Sequence, residues 1–402
     1  MHLTSTANFQ NESKLFDLPL EIRLLIYSHF INKHGYHVVS STESELALTP
    51  CLGARLYDGD VGKERQVTEL VIRPEPSDQR RYERRLRSSW GPHWMCEEFW
   101  MGGALPIMRY KQHSDPEKSG MEGLGMDLSS LYPLLRLCRR TYEEVMEWVA
   151  AEADFHIVDV QTLMILGDMS PSHDQNGMDD SNLGLQTSIV HRIQKLSLTL
   201  SRPLAFFQAH ESSSLLGTAH SSSDLENTME ARTSPTRDLQ TGFSRLREFT
   251  LWLDHTGTEY WSVISERALL APVLQEVAAY SSLNFVVVLP KTHPTLASGE
   301  RHYLDNTLKT NSAGTSSASL SATIHRVYRQ RLRDTSGSDG QSGYVEWIHD
   351  FPHLLGHGFS RGQDMAEVED LETKNWSMGV DTVRELRSMG YGGRFFNRRR
   401  RR

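Results

Sequence analysis

Leu246-Arg247-Glu248-Phe249-Thr250-Leu251-Trp252-Leu253, then Tyr260 to Ala279, then Leu283-Asn284-Phe285-Val286-Val287-Val288-Leu289, is the stretch that decides the fold. The outer pieces are short, apolar and rich in β-branched and aromatic residues, so both read as strands. Between them Val263, Ile264, Leu269, Leu270, Val273, Leu274 and Val277 recur at helical spacing. Strand, helix, strand at this spacing is a βαβ unit, which requires parallel strands and a right-handed crossover. The apolar runs at 249–253 and 285–289 predict burial on both sheet faces.

Working outward, Lys195 to Leu200 and Asp154 to Asp159 read as further strands, with a second apolar piece at Leu163 to Leu166. Before them, Leu131, Leu134, Leu135, Cys138, Tyr142, Val145, Met146 and Val149 form the apolar face of a helix. Ser129 or Ser130 would cap it, and Pro133 is tolerated in its first turn. Tyr36-His37-Val38-Val39 and Thr68 to Ile72 read as strands, the latter ended by Pro74 and Pro76. The fold class is therefore mixed α/β, an irregular, partly parallel body preceded by a short helix. The spacings are too irregular for a leucine-rich repeat array, although a short solenoid-like α/β stack is compatible with them.

Two Ser/Thr-rich spans, Ala209 to Thr241 and Leu308 to Thr323, carry few apolar residues and are expected to be disordered insertions. The resulting division is a helix at 13–34, a first part of the body at 35–208 with a Trp-rich insert, an insertion at 209–241, the βαβ part at 242–306, a disordered loop at 307–343, and a polar C-terminal region at 344–402. The insert, Trp90 to Trp100, is a dense aromatic cluster expected to bury itself.

Composition narrows the class. Lys plus Arg number 43 against 51 for Asp plus Glu, a net charge of −8, which gives no global pull toward nucleic acid or anionic membrane. Hydrophobic residues make up 38%, low for a compact domain, in keeping with long polar insertions. Three cysteines, Cys51, Cys96 and Cys138, make no disulfide framework and suit a reducing compartment, cytoplasmic or nuclear. Neither a secretory leader nor a membrane-length apolar run is visible.

The N-terminal stretch Leu15 to Tyr27 is a well-specified amphipathic helix. Pro19 suits its first position, Glu21 faces the positive end of the helix dipole, and Ile22, Leu25, Ile26 and Phe30 make an apolar stripe onto which Leu18 can fold. Leu18, Pro19, Glu21, Ile22, Arg23, Ile26 and Tyr27 resemble the Leu-Pro-x-Glu-Ile-Arg-x-x-Ile-Tyr opening of a fungal F-box-like family. A second piece, Leu134-Leu135-Arg136-Leu137-Cys138-Arg139-Arg140-Thr141-Tyr142-Glu143-Glu144, is similar to the Leu-x-x-x-Cys-Arg-x-x-Tyr-x-Glu helix of the same proteins. The resemblance implies that Leu18, Pro19, Glu21, Ile22, Leu25, Ile26 and Tyr27 contact a Skp-type adaptor of a cullin ubiquitin ligase while the body recruits a protein target. The chain departs from a full F-box after Ile31, where a turn and a strand replace further helices. A stripe packed on the protein's own core is the competing reading.

Chemistry-bearing motifs are sparse. Gly59 to Glu64 lacks the spacing of a phosphate loop, and no nucleophile elbow, dinucleotide turn or His-Glu-x-x-His occurs. A non-catalytic protein without a cofactor is expected. His93 and Cys96, with Cys51 and Cys138, would make a mixed-ligand zinc site, but only one close ligand pair is present and buried thiols are the simpler expectation. His349, His353 and His357 are four apart, yet Pro352 and Gly356 argue against a shared helix. Arg80, Arg81, Arg84, Arg85 and Arg87 beside Trp90 and Trp94, together with Arg398 to Arg402, offer an alternative nucleic-acid-binding reading.

Overall fold

A computed structural model describes residues 14–30, 32, 34–40, 46–52, 88–101, 139–159, 162–163, 165–166, 192–211, 243–256, 260–278, 280, 282–293, 300–303, 307–309, 321–334, 345–349, 351–352, 365–381, 384 and 388. The expected strand at 68–72, the basic segment at 80–87, Cys138, His353, His357 and the arginine tail lie outside these residues.

The chain builds an α/β fold on one eight-stranded sheet. Its strands are β1 (Tyr36–Ser40), β2 (Leu46–Pro50), β3 (Asp154–Ile157), β4 (Lys195–Arg202), β5 (Glu248–His255), β6 (Asn284–Pro290), β7 (Thr307–Lys309) and β8 (Ser321–Val327). They lie in the order β2-β1-β3-β4-β5-β6-β8-β7. The six inner strands, β1, β3, β4, β5, β6 and β8, are mutually parallel, and β2 and β7 close the edges antiparallel. A separate antiparallel pair joins β9 (Gln330–Asp334) to β10 (Val345–His349). The helices are α1 (Leu20–Ser28), α2 (Trp94–Trp100), α3 (Arg139–Glu152), α4 (Leu204–His210), α5 (Glu266–Val277) and α6 (Met365–Ser377).

The inner strands follow one another in chain order, with no reversal. Successive right-handed crossovers in one direction would carry their connections to a single face. The core has that arrangement. Phe155, Leu196, Phe249 and Phe285 make one row across the sheet, and Ile157, Leu198, Leu251 and Val287 the next. Onto them pack Val145, Met146 and Val149 of α3, Leu204 and Phe207 of α4, and Leu269, Leu270, Val273 and Leu274 of α5.

The opposite face is different. Its row reads His37, His156, Ser197, Thr250, Val286 and Thr323. Thr250, Trp252 and Val286 are only partly buried, so β5 and the start of β6 alternate instead of being buried on both faces as expected. At the β1–β4 end this face is covered by the Trp-rich insert, where Val39, Cys51, Trp90, Cys96 and Val158 form a small second core. Burial of the insert is partial: Trp90, Trp94 and Met95 are inside, while Phe99 and Trp100 are exposed.

The expected disordered loop is corrected. The span 307–343 contains strands β7, β8 and β9. Ala322 and Ile324 alternate inward against β6, a period-2 signal masked by the Ser/Thr-rich composition around it. Within the polar C-terminal region, helix α6 buries Val368 and Glu372. His349 ends a strand, so it shares no helix with the other two histidines.

The outer face of the first helix and a buried Cys/His cluster

Helix α1 is held to the body by charge. Arg23, buried at 6% exposure, donates from Nε (2.9 Å) and Nη2 (3.0 Å) to the two carboxylate oxygens of Glu144 on α3. A third donor, Nη1, reaches the carbonyl of Leu18 at 2.6 Å. The Tyr27 hydroxyl donates to the same carboxylate at 3.2 Å, and Arg140 adds a bond from the next turn of α3 at 3.0 Å. Burial would raise the Glu144 pKa, but the bonds from Arg23, Arg140 and Tyr27 prevail and hold it below the ordinary range. Burial, followed by the Glu144 charge, pushes Tyr27 up to about 12.

This lock orients the helix. Arg23 and Tyr27 are four apart and point inward, with Leu24, Ile26 and Phe30 packed against the main core. Leu20, Ile22 and Leu25 point outward at 46%, 43% and 60% exposure, and Pro19 and Glu21 are exposed beside them. Of the residues expected to meet a partner, Pro19, Glu21, Ile22 and Leu25 are thus on the outer face. Leu18 and Ile26 are half-buried. Tyr27 is fully buried and is corrected to a core residue, because its hydroxyl serves the Glu144 network. Arg23, Tyr27 and Glu144 also show that the two sequence pieces behind the family resemblance meet in space.

The second site lies on the opposite sheet face. His37 on β1, Cys51 after β2, His93 in the 3-10 turn Gly91–His93 and Cys96 on α2 bring one ligand atom each within 4.8 Å of one another, all four buried. The Cys51 Sγ lies 3.9 Å from the Cys96 Sγ and 3.4 Å from His93 Nδ1. The backbone N–H of Leu52 donates to the Cys96 sulfur at 3.1 Å. His156, paired with His37 across the parallel β1–β3 ladder, closes the group from the sheet, its ring 4.5 Å from that of His93. Its Nε2 bonds the His34 carbonyl at 3.1 Å.

Local structure fixes these positions. Period-2 alternation puts His37 and His156 on the same face. The β1–β2 hairpin then brings Cys51 beside His37, with the Cys51 N–H donating to the Gly35 carbonyl at 3.0 Å. Gly35 has φ +78°, and a Cβ there would lie 2.0 Å from the Asp154 carbonyl oxygen, so only glycine fits this turn. Gly91, at φ +54°, lets the 3-10 turn settle on Thr199 of β4.

The cluster polarises itself. Contact with Cys96, then with the His156, His37 and His93 rings, drives the Cys51 thiol well below the usual thiol range against the effect of burial. Burial depresses His37 to about 4 and also lowers His93. For His156 burial acts downward, but the neighbouring Cys51 sulfur prevails and raises it. The set is two imidazoles held neutral and a thiol biased toward thiolate, the protonation states in which these side chains bind metals. Of the four ligands considered from the sequence, Cys51, His93 and Cys96 come together. His37 was not recognisable, because it belongs to the cluster through strand pairing and not through spacing.

A third polar group, at the C-terminal ends of β6 and β8, is an internal ion pair. Glu266, fully buried, accepts from Arg326 twice (2.5 and 2.7 Å), from the Trp261 indole (2.9 Å) and from the Tyr303 backbone (3.1 Å).

Compared with known proteins, the chain matches no family model, no curated protein and no solved structure. Among the described residues no helix is long and apolar enough to cross a membrane.

Proposed function

We propose that the protein is a non-catalytic interaction protein that presents the outer face of α1 to a Skp-type adaptor of a cullin ubiquitin ligase, its α/β body recruiting the target. One observation carries this reading. Ile22 and Leu25, three apart, stand exposed on a helix whose other face is clamped by the Arg23–Glu144–Tyr27 network, and Leu20 is exposed at its start. Exposed apolar side chains three apart on the outer face of a firmly held helix are the kind of anchors that helix-in-groove recognition uses. The F-box-like resemblance of residues 18–27 supplies the identity of the partner.

The test is direct binding of the purified full-length chain to a purified Skp-type adaptor. Ile22→Asp/Leu25→Asp should keep the wild-type melting curve, since both side chains already face solvent, and should weaken adaptor binding at least 100-fold. Lack of measurable binding by folded wild-type protein at tens of micromolar adaptor would refute the adaptor assignment. Unfolding of the double variant would show that the stripe belongs to the core.

A further inference from the structure

We propose that His37, Cys51, His93 and Cys96 bind one zinc ion in a closed tetrahedral site, which fastens the Trp-rich insert to the back of the sheet. A zinc ion holds sulfur at about 2.3 Å and imidazole nitrogen at about 2.0–2.1 Å, so neighbouring ligands of a tetrahedron stand about 3.3–3.8 Å apart. The Sγ to Nδ1 contact at 3.4 Å has that spacing, and the Sγ to Sγ contact at 3.9 Å lies just outside it. With every ligand pair inside 4.8 Å, closing the set around an ion takes about 1 Å of adjustment.

The polar groups of the cluster also point to a cation. Neither ring nitrogen of His37 has a hydrogen-bond partner at hydrogen-bond distance, although the side chain has no solvent exposure. An orphaned buried imidazole is costly, and a metal removes the cost. The N–H of Leu52 on the Cys96 sulfur is the kind of outer-shell contact that steadies a thiolate ligand. His156 Nδ1 is likewise buried, and the hydrogen bond of its Nε2 to the His34 carbonyl orients the ring toward the cluster.

Two sulfurs and two imidazoles form the Cys2His2 set of structural zinc sites, which leave no open position for a substrate. The ligands arrive as two pairs. His93 and Cys96 come from one turn-to-helix junction, and His37 from β1 and Cys51 from just after β2 of one hairpin. The site would therefore bridge a sequence separation of 42 residues, from Cys51 to His93, reinforcing the small apolar cluster that joins insert to sheet. The role is structural and separate from the adaptor-binding face of α1.

The experiment is metal analysis of the purified full-length protein by native mass spectrometry and elemental analysis, with cobalt substitution read by visible absorption. The expected result is one zinc per chain, a cobalt spectrum of tetrahedral type with sulfur-to-metal charge transfer, and Cys51 and Cys96 protected from alkylation until a chelator is added. Cys96→Ser and His37→Ala should each weaken zinc binding at least 100-fold, whereas Cys138→Ser should retain the full complement because four ligands are already present. Less than a tenth of an equivalent of zinc in folded wild-type protein equilibrated with micromolar zinc would overturn the proposal. So would a Cys51–Cys96 disulfide in the protein as isolated. Retention of zinc by His37→Ala with its loss in His156→Ala would overturn the ligand set. The wild-type stoichiometry and cobalt spectrum decide the matter even if a ligand variant fails to fold.

Discussion

Glu266 shows how much one side chain can be asked to do. It begins α5, where Ser265 accepts from the Ala268 N–H as the cap, and it is buried against Arg326, Trp261, the Tyr303 backbone and His302. Burial acts to raise its pKa, but the Arg326 and His302 contacts outweigh it and bring the carboxyl down to about 2. A folded pKa below the ordinary carboxylate value near 4.5 contributes stability that is complete above that value and lost as pH falls toward 2. The contribution is on the order of 3 kcal/mol. Urea melts between pH 5 and pH 2 should therefore show the wild-type acid loss reduced by about that amount in Glu266→Gln. The amide keeps partners in Trp261 and Tyr303, and Arg326 retains the carbonyls of Pro290 and Tyr303. An unchanged acid limb would show that other carboxylates dominate it.

Between elements, the α1–α3 clamp joins residues 121 positions apart, from Arg23 to Glu144. Leaving either charge buried alone is costly, about 3–5 kcal/mol for a buried pair broken on one side. Glu144→Ala should fall near that range and Arg23→Ala below it, since Glu144 retains Arg140 and Tyr27. The double variant should cost clearly less than the sum, giving a coupling of 1 kcal/mol or more in a double-mutant cycle by chemical denaturation. Additive losses would mean that the helix is held by its Leu24, Ile26 and Phe30 contacts alone. The helix itself was legible in the sequence from Pro19 and the apolar spacing. Its orientation was not, because a stripe of Leu and Ile reads as the buried face, whereas a tyrosine and an arginine four apart took that place.

Among the described residues the inner strands lie in chain order, with α3, α4 and α5 packed on one face and α2 with the Cys/His cluster on the other. Leu251 is central, fully buried and flanked by Leu198 and Val287 in the register. Leu251→Ala should cost about 2–5 kcal/mol, the range for truncating a fully buried leucine. Equilibrium denaturation should show the loss in both tryptophan fluorescence and far-ultraviolet circular dichroism, since one continuous core underlies the strands from β1 to β8. A cost below 1 kcal/mol would contradict the packing described.

The sequence by itself determined the α/β class, the parallel βαβ unit, and the existence of helices near 20–28, 139–152 and 266–277, because periodicity and turn chemistry are local properties of the chain. It began the last of these at Tyr260, where a 3-10 turn precedes the helix. It placed His93 and Cys96 close together, with buried thiols as the expected state. Only the tertiary structure decided that Arg23 and Tyr27 meet Glu144, that Ser321 to Val327 pairs with β6, and that His37 and Cys51 complete a four-ligand cluster with His93 and Cys96. Those outcomes depend on register and on which strands are neighbours. Both are set by the sum of contacts across the sheet, so no single stretch of sequence carries them.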